Sequence, residues 1–378
     1  MYNYDEIKTV HLEMTERCNA ACPQCSRNIN GGEDNPYLND RELSITDIKK
    51  IFTIDFIKQL SHIYLCGNYG DPIVAKDTIE TLRYFRETNP DIKLSMNTNA
   101  SARTTEYWTE LAEILKPNGH VIFSIDGLED TNHIYRRNTN FIKIIDNAKA
   151  FIDNGGIAHW EFIVFEHNEH QVEEARTFAR SLGFKHFQIK KTGRFFSSLT
   201  GQVKHGSSFV DRKGNKIEIK LPKDDSYINE GLRVDREKNY PVVTLPTTYD
   251  EIKDKIGPEV FVHEAIQSYD RTVIDCKVKK EKNLYITAEG IVMPCCWMAS
   301  TMYSWHHMYK RTQIWKYINK VGIDSINAHK HTVEEILEGD FFKLVESSWD
   351  LPTCSQGKLT VCAKTCGKDL ETFSKQYA

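Results

Sequence analysis

The sequence lacks several features that would define a broad class of protein at once. No stretch of its 378 residues approaches 18 uncharged apolar residues, which excludes a membrane-spanning helix. The first residues, MYNYDEIKTVHLEM, contain neither a basic segment nor an apolar one, so we expect no export signal and a cytoplasmic location. Neither sign of charge dominates: 49 Lys+Arg oppose 53 Asp+Glu, and the net charge of −4 argues against a surface that coats nucleic acid.

Cysteine is absent between Cys66 and Cys276, although the chain has ten cysteines. Six of the ten lie between Cys276 and Cys366. Three more fall within eight residues, at Cys18, Cys22 and Cys25. Such clusters in a chain without an export signal indicate metal ligands, whereas a disulfide framework is typical of secreted proteins.

The first 195 residues alternate strand-like and helix-like runs at intervals of about 30 residues. The strand-like runs are 10–14, 62–66, 92–96, 120–125, 160–165 and 186–190. The runs between them predict helices, one that starts at Thr46 and one over 168–182 with Asn168 as N-cap and Gly183 at its end. This alternation predicts an α/β fold of parallel strands with right-handed crossovers. Periodicity leaves a barrel and an open doubly wound sheet both possible.

The pattern changes after residue 197. The segment 198–270 is charged and punctuated by Gly and Pro, which predicts a bridging segment with a hairpin that turns at Gly214-Asn215. Residues 271–378 contain a second hairpin, with its turn at Glu289-Gly290, and a helix over 331–345. We therefore expect three parts: 1–197, 198–270 and 271–378.

The first cysteine group, Cys18-x3-Cys22-x2-Cys25, directly follows the first predicted strand. Loops at the carboxyl ends of parallel strands meet at one edge, which is where such folds place their sites. Three thiolates in eight residues can bind three irons of one [4Fe–4S] cluster and leave the fourth iron free for another ligand. Zinc would need a fourth protein ligand, and no His or Cys nearby completes such a set.

This motif, in this position, resembles the radical S-adenosylmethionine (SAM) superfamily, and the resemblance covers residues 8 to about 195. Gly67-Asn68-Tyr69-Gly70-Asp71-Pro72 is similar to the family's Gly-Gly-Glu-Pro loop, which receives the methionine amino group of SAM. Asn97-Thr98-Asn99 is similar to its Thr-Asn-Gly turn. Ser124-Ile125-Asp126-Gly127, with Tyr135-Arg136, is similar to a Ser-x-Asp-Gly and Tyr-Arg pattern of family members with extra clusters. In those proteins the side chains of this pattern hold the ribose and the carboxylate of SAM.

The resemblance implies a partial (β/α)6 barrel, a [4Fe–4S] cluster on Cys18, Cys22 and Cys25, and SAM as cofactor. The residues it implies for cofactor binding are Gln24, Gly67, Asn68, Tyr69, Gly70, Asp71, Asn97, Asn99, Ser124, Asp126 and Arg136. Two of them depart from the family pattern. Gln24 stands where an aromatic residue is usual, and Asp71 stands where glutamate is usual.

The second cysteine group resembles the SPASM and twitch extensions of the same superfamily. Cys276-x13-Gly290-x4-Cys295 is similar to their opening, and Cys362-x3-Cys366 to part of their ending. The resemblance implies a small C-terminal α+β domain with one auxiliary [4Fe–4S] cluster, with zinc as the competing metal. Cys276, Cys295 and Cys366 are its expected ligands, and the fourth is Cys354 or Cys362. We expect Cys296 to be a packing residue, because neighbours on a strand point to opposite faces.

The implied function is reductive cleavage of SAM to a 5′-deoxyadenosyl radical, which abstracts hydrogen from a peptide or small-metabolite substrate. The implied partners are that substrate and an electron donor of the flavodoxin or ferredoxin type. The alternatives are a radical SAM enzyme that modifies RNA, which would need a basic groove, and a non-catalytic iron–sulfur or zinc protein. Two further features favour structural roles: Cys66 as core filling, and Ser304 to Met308, at the start of the run 304–320, whose aromatic and basic residues are spaced as in a docking helix.

Overall fold

The computed structural model describes residues 1–195, 206–210, 214–232, 242–253 and 269–368. Its main sheet has eight strands in the order β11-β10-β1-β2-β3-β4-β5-β6. Neighbouring strands are parallel, except for the antiparallel pair β10 and β11. The strands are β1 Thr9–Leu12, β2 His62–Leu65, β3 Lys93–Thr98, β4 Gly119–Ser124, β5 Ala158–Ile163, β6 His186–Lys190, β10 Asn283–Ile286 and β11 Val292–Met293.

A second sheet, in the order β8-β7-β9, lies in the predicted bridging segment. Its strands are β7 Gly206–Val210, β8 Lys216–Lys220 and β9 Val242–Thr244. The antiparallel pair β7 and β8 confirms the hairpin predicted there, although residues 211–213 of its connection lie outside the described residues.

The helices fall mainly between the strands of the main sheet and near the carboxyl end of the chain. They are α1 Ile45–Ile51, α2 Ile54–Gln59, α3 Thr78–Thr88, α4 Thr105–Leu115, α5 Asn132–Tyr135, α6 Phe141–Asp153, α7 Val172–Ser181, α8 Lys277–Glu281, α9 Cys296–Ala299, α10 Gln313–Val321, α11 Val333–Glu338, α12 Asp340–Ser347 and α13 Thr360–Cys366. In the part of the chain that the structure describes, no helix is long and apolar enough to cross a membrane.

The two faces of the main sheet have different chemistry, because successive side chains of a strand point to opposite faces. On one face, apolar side chains are buried under the helices; Phe123 of β4, for example, lies 5.3 Å from the ring of Trp108 and 6.0 Å from that of Phe151. The other face carries polar residues. There the rings of His120, His159 and His186 follow one another at 4.6 Å. The polar face is therefore the inner face of the barrel.

The strand order decides between the two architectures that the sequence leaves possible. Strands β1 to β6 are neighbours in chain order, so right-handed crossovers place every connecting helix on the same face. A doubly wound sheet would instead reverse direction at a switch point. The α/β prediction and the partial barrel implied by the resemblance are thus confirmed, and all six predicted strands lie within two residues of their expected ends.

The C-terminal hairpin is part of the main sheet. Its turn at Glu289-Gly290 is as predicted, with Gly290 at φ +76°. However, β10 pairs in parallel with β1, in the register Val10 with Leu284 and Leu12 with Ile286. Strands β10 and β11, which fall in the predicted part 271–378, therefore belong to the same sheet as β1 to β6.

Three helix predictions are wrong in detail. The helix that starts at Thr46 is two helices, because Thr53 forms a new N-cap by accepting from the Phe56 amide. The helix over 331–345 is also two, since Gly339 is extended between α11 and α12. The side chain of Asn168 does not cap a helix. It is buried, accepts from the Phe165 amide at 2.7 Å and donates to the Asp126 carbonyl at 2.8 Å, so it serves the end of β5 instead.

Candidate functional site

The cysteine triad lies in the loop after β1, at the carboxyl edge of the barrel. A turn with the Cys25 amide on the Cys22 carbonyl (3.0 Å) folds this loop back, and the Ala20 amide donates to Cys18 Sγ at 3.4 Å. Burial raises the pKa of Cys18, and the charges of Asp71, Cys22 and Cys25 add to the effect. Burial also raises the pKa of Cys22, to about 11. The charges of Cys22 and Cys25 thus act on the Cys18 thiol, so the loop brings the three cysteines into one site.

Two side chains from other strand ends approach these sulfurs. Asn99, after β3, places its Nδ2 at 3.7 Å from Cys18 Sγ. Arg136, after β4, places its Nη1 at 3.9 Å from Cys22 Sγ. Both groups are donors, and hydrogen bonds to cluster sulfurs are one way in which proteins tune iron–sulfur centres. The surroundings of the triad therefore fit an anionic cluster.

Asp71 holds Asn99 in place. One carboxylate oxygen accepts from the Asn99 amide at 2.7 Å and from its side-chain nitrogen at 2.6 Å, and the other accepts from the Ile73 amide at 3.2 Å. Burial raises the pKa of Asp71, although these hydrogen bonds act to lower it. Contact between Asp71 and the methionine amino group stays a prediction, and the structure adds a contact by which Asp71 orders a neighbour of Cys18.

Asp126 forms a buried ion pair with Arg136, at 2.5 Å between Oδ2 and Nε. The other oxygen of Asp126 accepts from the Ile163 amide at 2.6 Å, so both oxygens of this fully buried carboxylate are used. The pair fixes the direction of the Arg136 side chain toward Cys22. The structure thus brings Asp126 to the site through Arg136.

Gln24 carries an orphaned acceptor beside the triad. Its Nε2 donates to the Arg194 carbonyl at 3.4 Å, whereas its Oε1 is buried and has no hydrogen-bond partner among the residues that the structure describes. An amino group of a bound ligand could supply the missing donor. The acceptor on Gln24 therefore fits a cofactor that contains a purine with an amino group. Ser124 and Asn97 are half-buried at the ends of β4 and β3, on the polar inner face of the sheet.

Four cysteines of the C-terminal region line one pocket: Cys276, Cys295, Cys362 and Cys366. Cys276 and Cys295 stand immediately before α8 and α9, and Cys362 and Cys366 are one helical turn apart on α13, so they share a face. The rest of the lining is largely apolar and includes Trp349, Met298 and Val345. Cys276 and Cys366 share a sulfur hydrogen bond that raises the pKa of Cys276 and lowers that of Cys366 to about 6.

The other two C-terminal cysteines lie outside this set. The Cys354 amide donates to Asp270 at 2.5 Å, and Cys354 does not line the pocket, so of the two candidates for fourth ligand the structure brings Cys362 to the other three. Cys296 packs against the core as expected. The reason given for it is wrong, since β11 ends at Met293 and Cys296 begins helix α9.

The spacing of the cysteines bears on the competing metal. Within the described ranges, no three His, Cys, Asp or Glu side chains are grouped so that they could hold one metal ion. Structural zinc needs four ligands within about 2.0–2.3 Å of a single ion. In a four-iron cluster each thiolate binds a different iron, which requires a wider set. The auxiliary cluster on these four cysteines and the competing zinc site both stay predictions.

Sequence reasoning missed Glu13 and Tyr285. Glu13 is buried directly after β1, and its carboxylate accepts from the amides of Tyr69 and Gly70 in the loop 67–72. Tyr285 of β10 donates to the other oxygen of Glu13 at 2.6 Å. The available signal was an acid inside the apolar run 10–14, but its partner is 272 residues away.

The features that the sequence assigns to structural roles have ordinary surroundings. Cys66 is half-buried, and burial raises the pKa of its thiol to about 12. Trp305 packs in a small core with Ile29 and Ile252. Of the run 304–320, the residues from Gln313 onward form helix α10, whereas Ser304 to Met308 precede it.

Comparisons with known proteins agree with this geometry. Residues 12–179 match the sequence model of the radical SAM superfamily. The FeMo cofactor biosynthesis protein NifB of Methanocaldococcus jannaschii is 28% identical over 115 residues, which are 29% of this chain and 38% of that protein. NifB of Chlorobaculum tepidum is 30% identical over 125 residues, which are 32% of this chain and 28% of that protein. The chain thus spans well under half the length of the curated relatives that it matches.

A solved structure with a similar fold is Streptococcus suis SuiB bound to precursor peptide SuiA. It has a TM-score of 0.53 and 16% identity, over 95% of this chain and 72% of that chain. Residues 12–179 thus match the radical SAM superfamily in sequence, and the chain is similar to SuiB in fold. Members of this superfamily use a [4Fe–4S] cluster and SAM.

Proposed function

We propose that this protein binds a [4Fe–4S] cluster through Cys18, Cys22 and Cys25, cleaves SAM reductively, and removes a hydrogen atom from a peptide or small-molecule substrate. The observation that carries the proposal is the pair of side-chain donors at the triad, Asn99 at Cys18 and Arg136 at Cys22. A merely structural metal site would not need two donors brought in from other strand ends.

The residues around the triad have separate tasks in this proposal. When bound, the cluster and SAM supply an electron and a carbon radical. Asn99 and Arg136 stabilise negative charge on the sulfurs, while Asp71 and Asp126 hold these two donors in direction. Gln24 offers its Oε1, which has no partner in the described part of the chain, to the adenine amino group, and the half-buried Ser124 faces the cofactor from β4.

We assign one auxiliary [4Fe–4S] cluster to Cys276, Cys295, Cys362 and Cys366, because these four line the same pocket. The apolar wall that includes Trp349 and Met298 would restrict water around it, and solvent exposure is one of the properties that set the potential of such a cluster. This cluster then either accepts an electron from the substrate radical or positions the substrate. The first electron comes from a flavodoxin- or ferredoxin-type donor.

The proposed substrate class rests on the likeness in fold to SuiB. SuiB is described in complex with a precursor peptide, and its fold likeness makes a peptide one of the two classes that we propose. The NifB relatives align over only 115 and 125 residues, so we do not extend metal-cofactor biosynthesis to this chain. RNA modification is the alternative within the superfamily, and the net charge of −4 speaks against it.

The test is anaerobic reconstitution followed by dithionite and SAM, with 5′-deoxyadenosine measured by chromatography. The wild type should form 5′-deoxyadenosine and bind about eight irons per chain, for two four-iron clusters. Failure to form it with a reconstituted cluster would refute the proposed activity. A count near four irons with one zinc would instead leave the activity intact and refute the auxiliary cluster.

A matched pair of variants tests the auxiliary ligands. Cys362→Ala should lose or destabilise the auxiliary cluster, with iron falling toward about four per chain, because it removes one of four ligands. Cys354→Ala should keep the full iron content, since Cys354 does not line the pocket. The reverse result would show that Cys354 is the ligand.

A further inference from the structure

The buried carboxylate of Glu13 is bonded on both of its oxygens. Oε1 accepts from the Tyr69 amide at 2.8 Å and from the Gly70 amide at 3.3 Å, and Oε2 accepts from the Tyr285 hydroxyl at 2.6 Å. One side of this group therefore holds the loop 67–72, which the proposed function assigns to SAM. The other side holds strand β10.

The same loop is tied to the residues that follow β11. Asn68 Nδ2 donates to the Tyr285 hydroxyl at 3.0 Å and to the Cys296 carbonyl at 2.9 Å. The Tyr69 hydroxyl donates to the Ser300 carbonyl at 3.0 Å. Cys296 is the direct neighbour of Cys295, one of the four cysteines of the auxiliary pocket. Hydrogen bonds thus run without a gap from the loop 67–72 to the peptide next to Cys295.

The loop has little room to move against this network. A Cβ at Gly67 would lie 2.4 Å from the Gly70 carbonyl oxygen and 2.8 Å from Glu13 Oε1, and a Cβ at Gly70 would lie 1.7 Å from the Thr15 carbonyl oxygen. A buried carboxylate is costly unless it is hydrogen-bonded, and burial raises the pKa of Glu13 to about 7. Such a group at a junction between two sites needs a reason beyond packing.

We propose that Glu13 and Tyr285 are positioning residues that couple the loop 67–72 to the segment carrying Cys295, so that SAM binding and the auxiliary cluster influence each other. This inference rests on the proposed function. Coupling of two sites is reciprocal: if SAM shifts the segment at Cys295, then the state of the auxiliary cluster must shift the affinity for SAM by the same factor.

The main test is Tyr285→Phe, which removes the donor to Glu13 and the acceptor for Asn68 while it keeps the ring. The control is Tyr2→Phe, because the Tyr2 hydroxyl donates to the Asn283 carbonyl of the same strand but to nothing in the loop. In the reconstituted wild type and the Tyr2→Phe protein, SAM should change the electron paramagnetic resonance spectrum of the reduced auxiliary cluster. In Tyr285→Phe, SAM should bind about fivefold or more weakly and leave that spectrum unchanged.

Glu13 provides a second, independent variant. Glu13→Ala should act as Tyr285→Phe does, and Glu13→Gln should restore part of the SAM affinity, because its oxygen can still accept from the Tyr69 amide. Peptides that contain residues 67–72 should exchange amide hydrogen faster in Glu13→Ala than in the wild type, which can be measured without substrate.

The outcomes separate this inference from the proposed function. A wild type that forms no 5′-deoxyadenosine refutes the function. A wild type that forms it, with a Tyr285→Phe protein whose SAM affinity and SAM-dependent spectrum equal those of the wild type, refutes the coupling alone. If Tyr285→Phe does not fold, Glu13→Gln and Glu13→Ala decide the question. A SAM affinity equal to that of the wild type in both variants would also refute the coupling.

Discussion

His11 should make the stability of this protein fall as the pH is lowered from neutral. The ring is buried on β1, between Tyr64 at 4.2 Å and Tyr285 at 4.6 Å, and its Nε2 donates to the Cys66 carbonyl at 2.5 Å. Burial lowers the pKa of His11 from 6.5 to about 4, and the hydrogen bond to Cys66 only partly opposes this. The carbonyl that it holds directly precedes the loop 67–72.

The sign and size follow from the two pKa values. In the unfolded chain His11 takes up a proton near pH 6.5, but in the folded protein only near pH 4. Between these values the unfolded state binds more protons, so the stabilisation present above pH 6.5 is lost as the pH falls. The loss on going from pH 7.5 to pH 5 amounts to about 2 kcal/mol of unfolding free energy.

The assay compares urea denaturation of the wild type and His11→Gln, both purified anaerobically, at pH 8.5, 7.5 and 5.0. The comparison with the variant is needed because Glu13 also titrates in this range. Burial raises the pKa of Glu13 to about 7, so its contribution to the unfolding free energy increases as the pH falls, opposite to that of His11. The wild type should lose about 2 kcal/mol relative to the variant between pH 7.5 and 5.0, and nothing between pH 8.5 and 7.5. A constant difference at all three pH values would refute the argument.

Three further predictions concern the triad and its supports. Cys18→Ala should abolish 5′-deoxyadenosine formation but keep the iron of the auxiliary site, as iron analysis would show; normal cleavage of SAM would rule out the triad. Asp126→Ala should lower the unfolding free energy by about 3–5 kcal/mol, because it leaves the Arg136 charge without its buried partner. Urea denaturation of this variant and of Asp126→Asn measures the loss. A loss below about 1 kcal/mol would contradict the prediction. Ser124→Ala should weaken SAM binding by about 1–3 kcal/mol and leave the absorption spectrum of the cluster unchanged; equal SAM affinity would mean that Ser124 does not contact the cofactor.

Local sequence determined the parts of this protein in which the interacting residues are close in the chain. The triad occupies one loop of eight residues, so its spacing alone predicts convergence of three thiols. The hairpin turn at Glu289-Gly290 is equally local, because glycine at φ +76° permits the turn whatever lies around it. Each strand of the barrel could be located from its apolar run, since the faces that it buries depend on its own side chains.

Only the tertiary structure decided the contacts between distant segments. The pairing of β10 with β1 joins residues about 274 positions apart, and the sequence of neither strand indicates which strand it pairs with. Cys354 and Cys362 are equivalent candidates by spacing, and the packing of α13 beside α8 and α9 brings Cys362 to the pocket. In the sequence, Glu13 is a single acidic residue inside an apolar run, with no sign of its function. Its role became visible only where Tyr69, Gly70 and Tyr285 meet its carboxylate, because a buried charge is explained by the donors that surround it and not by its neighbours in the chain.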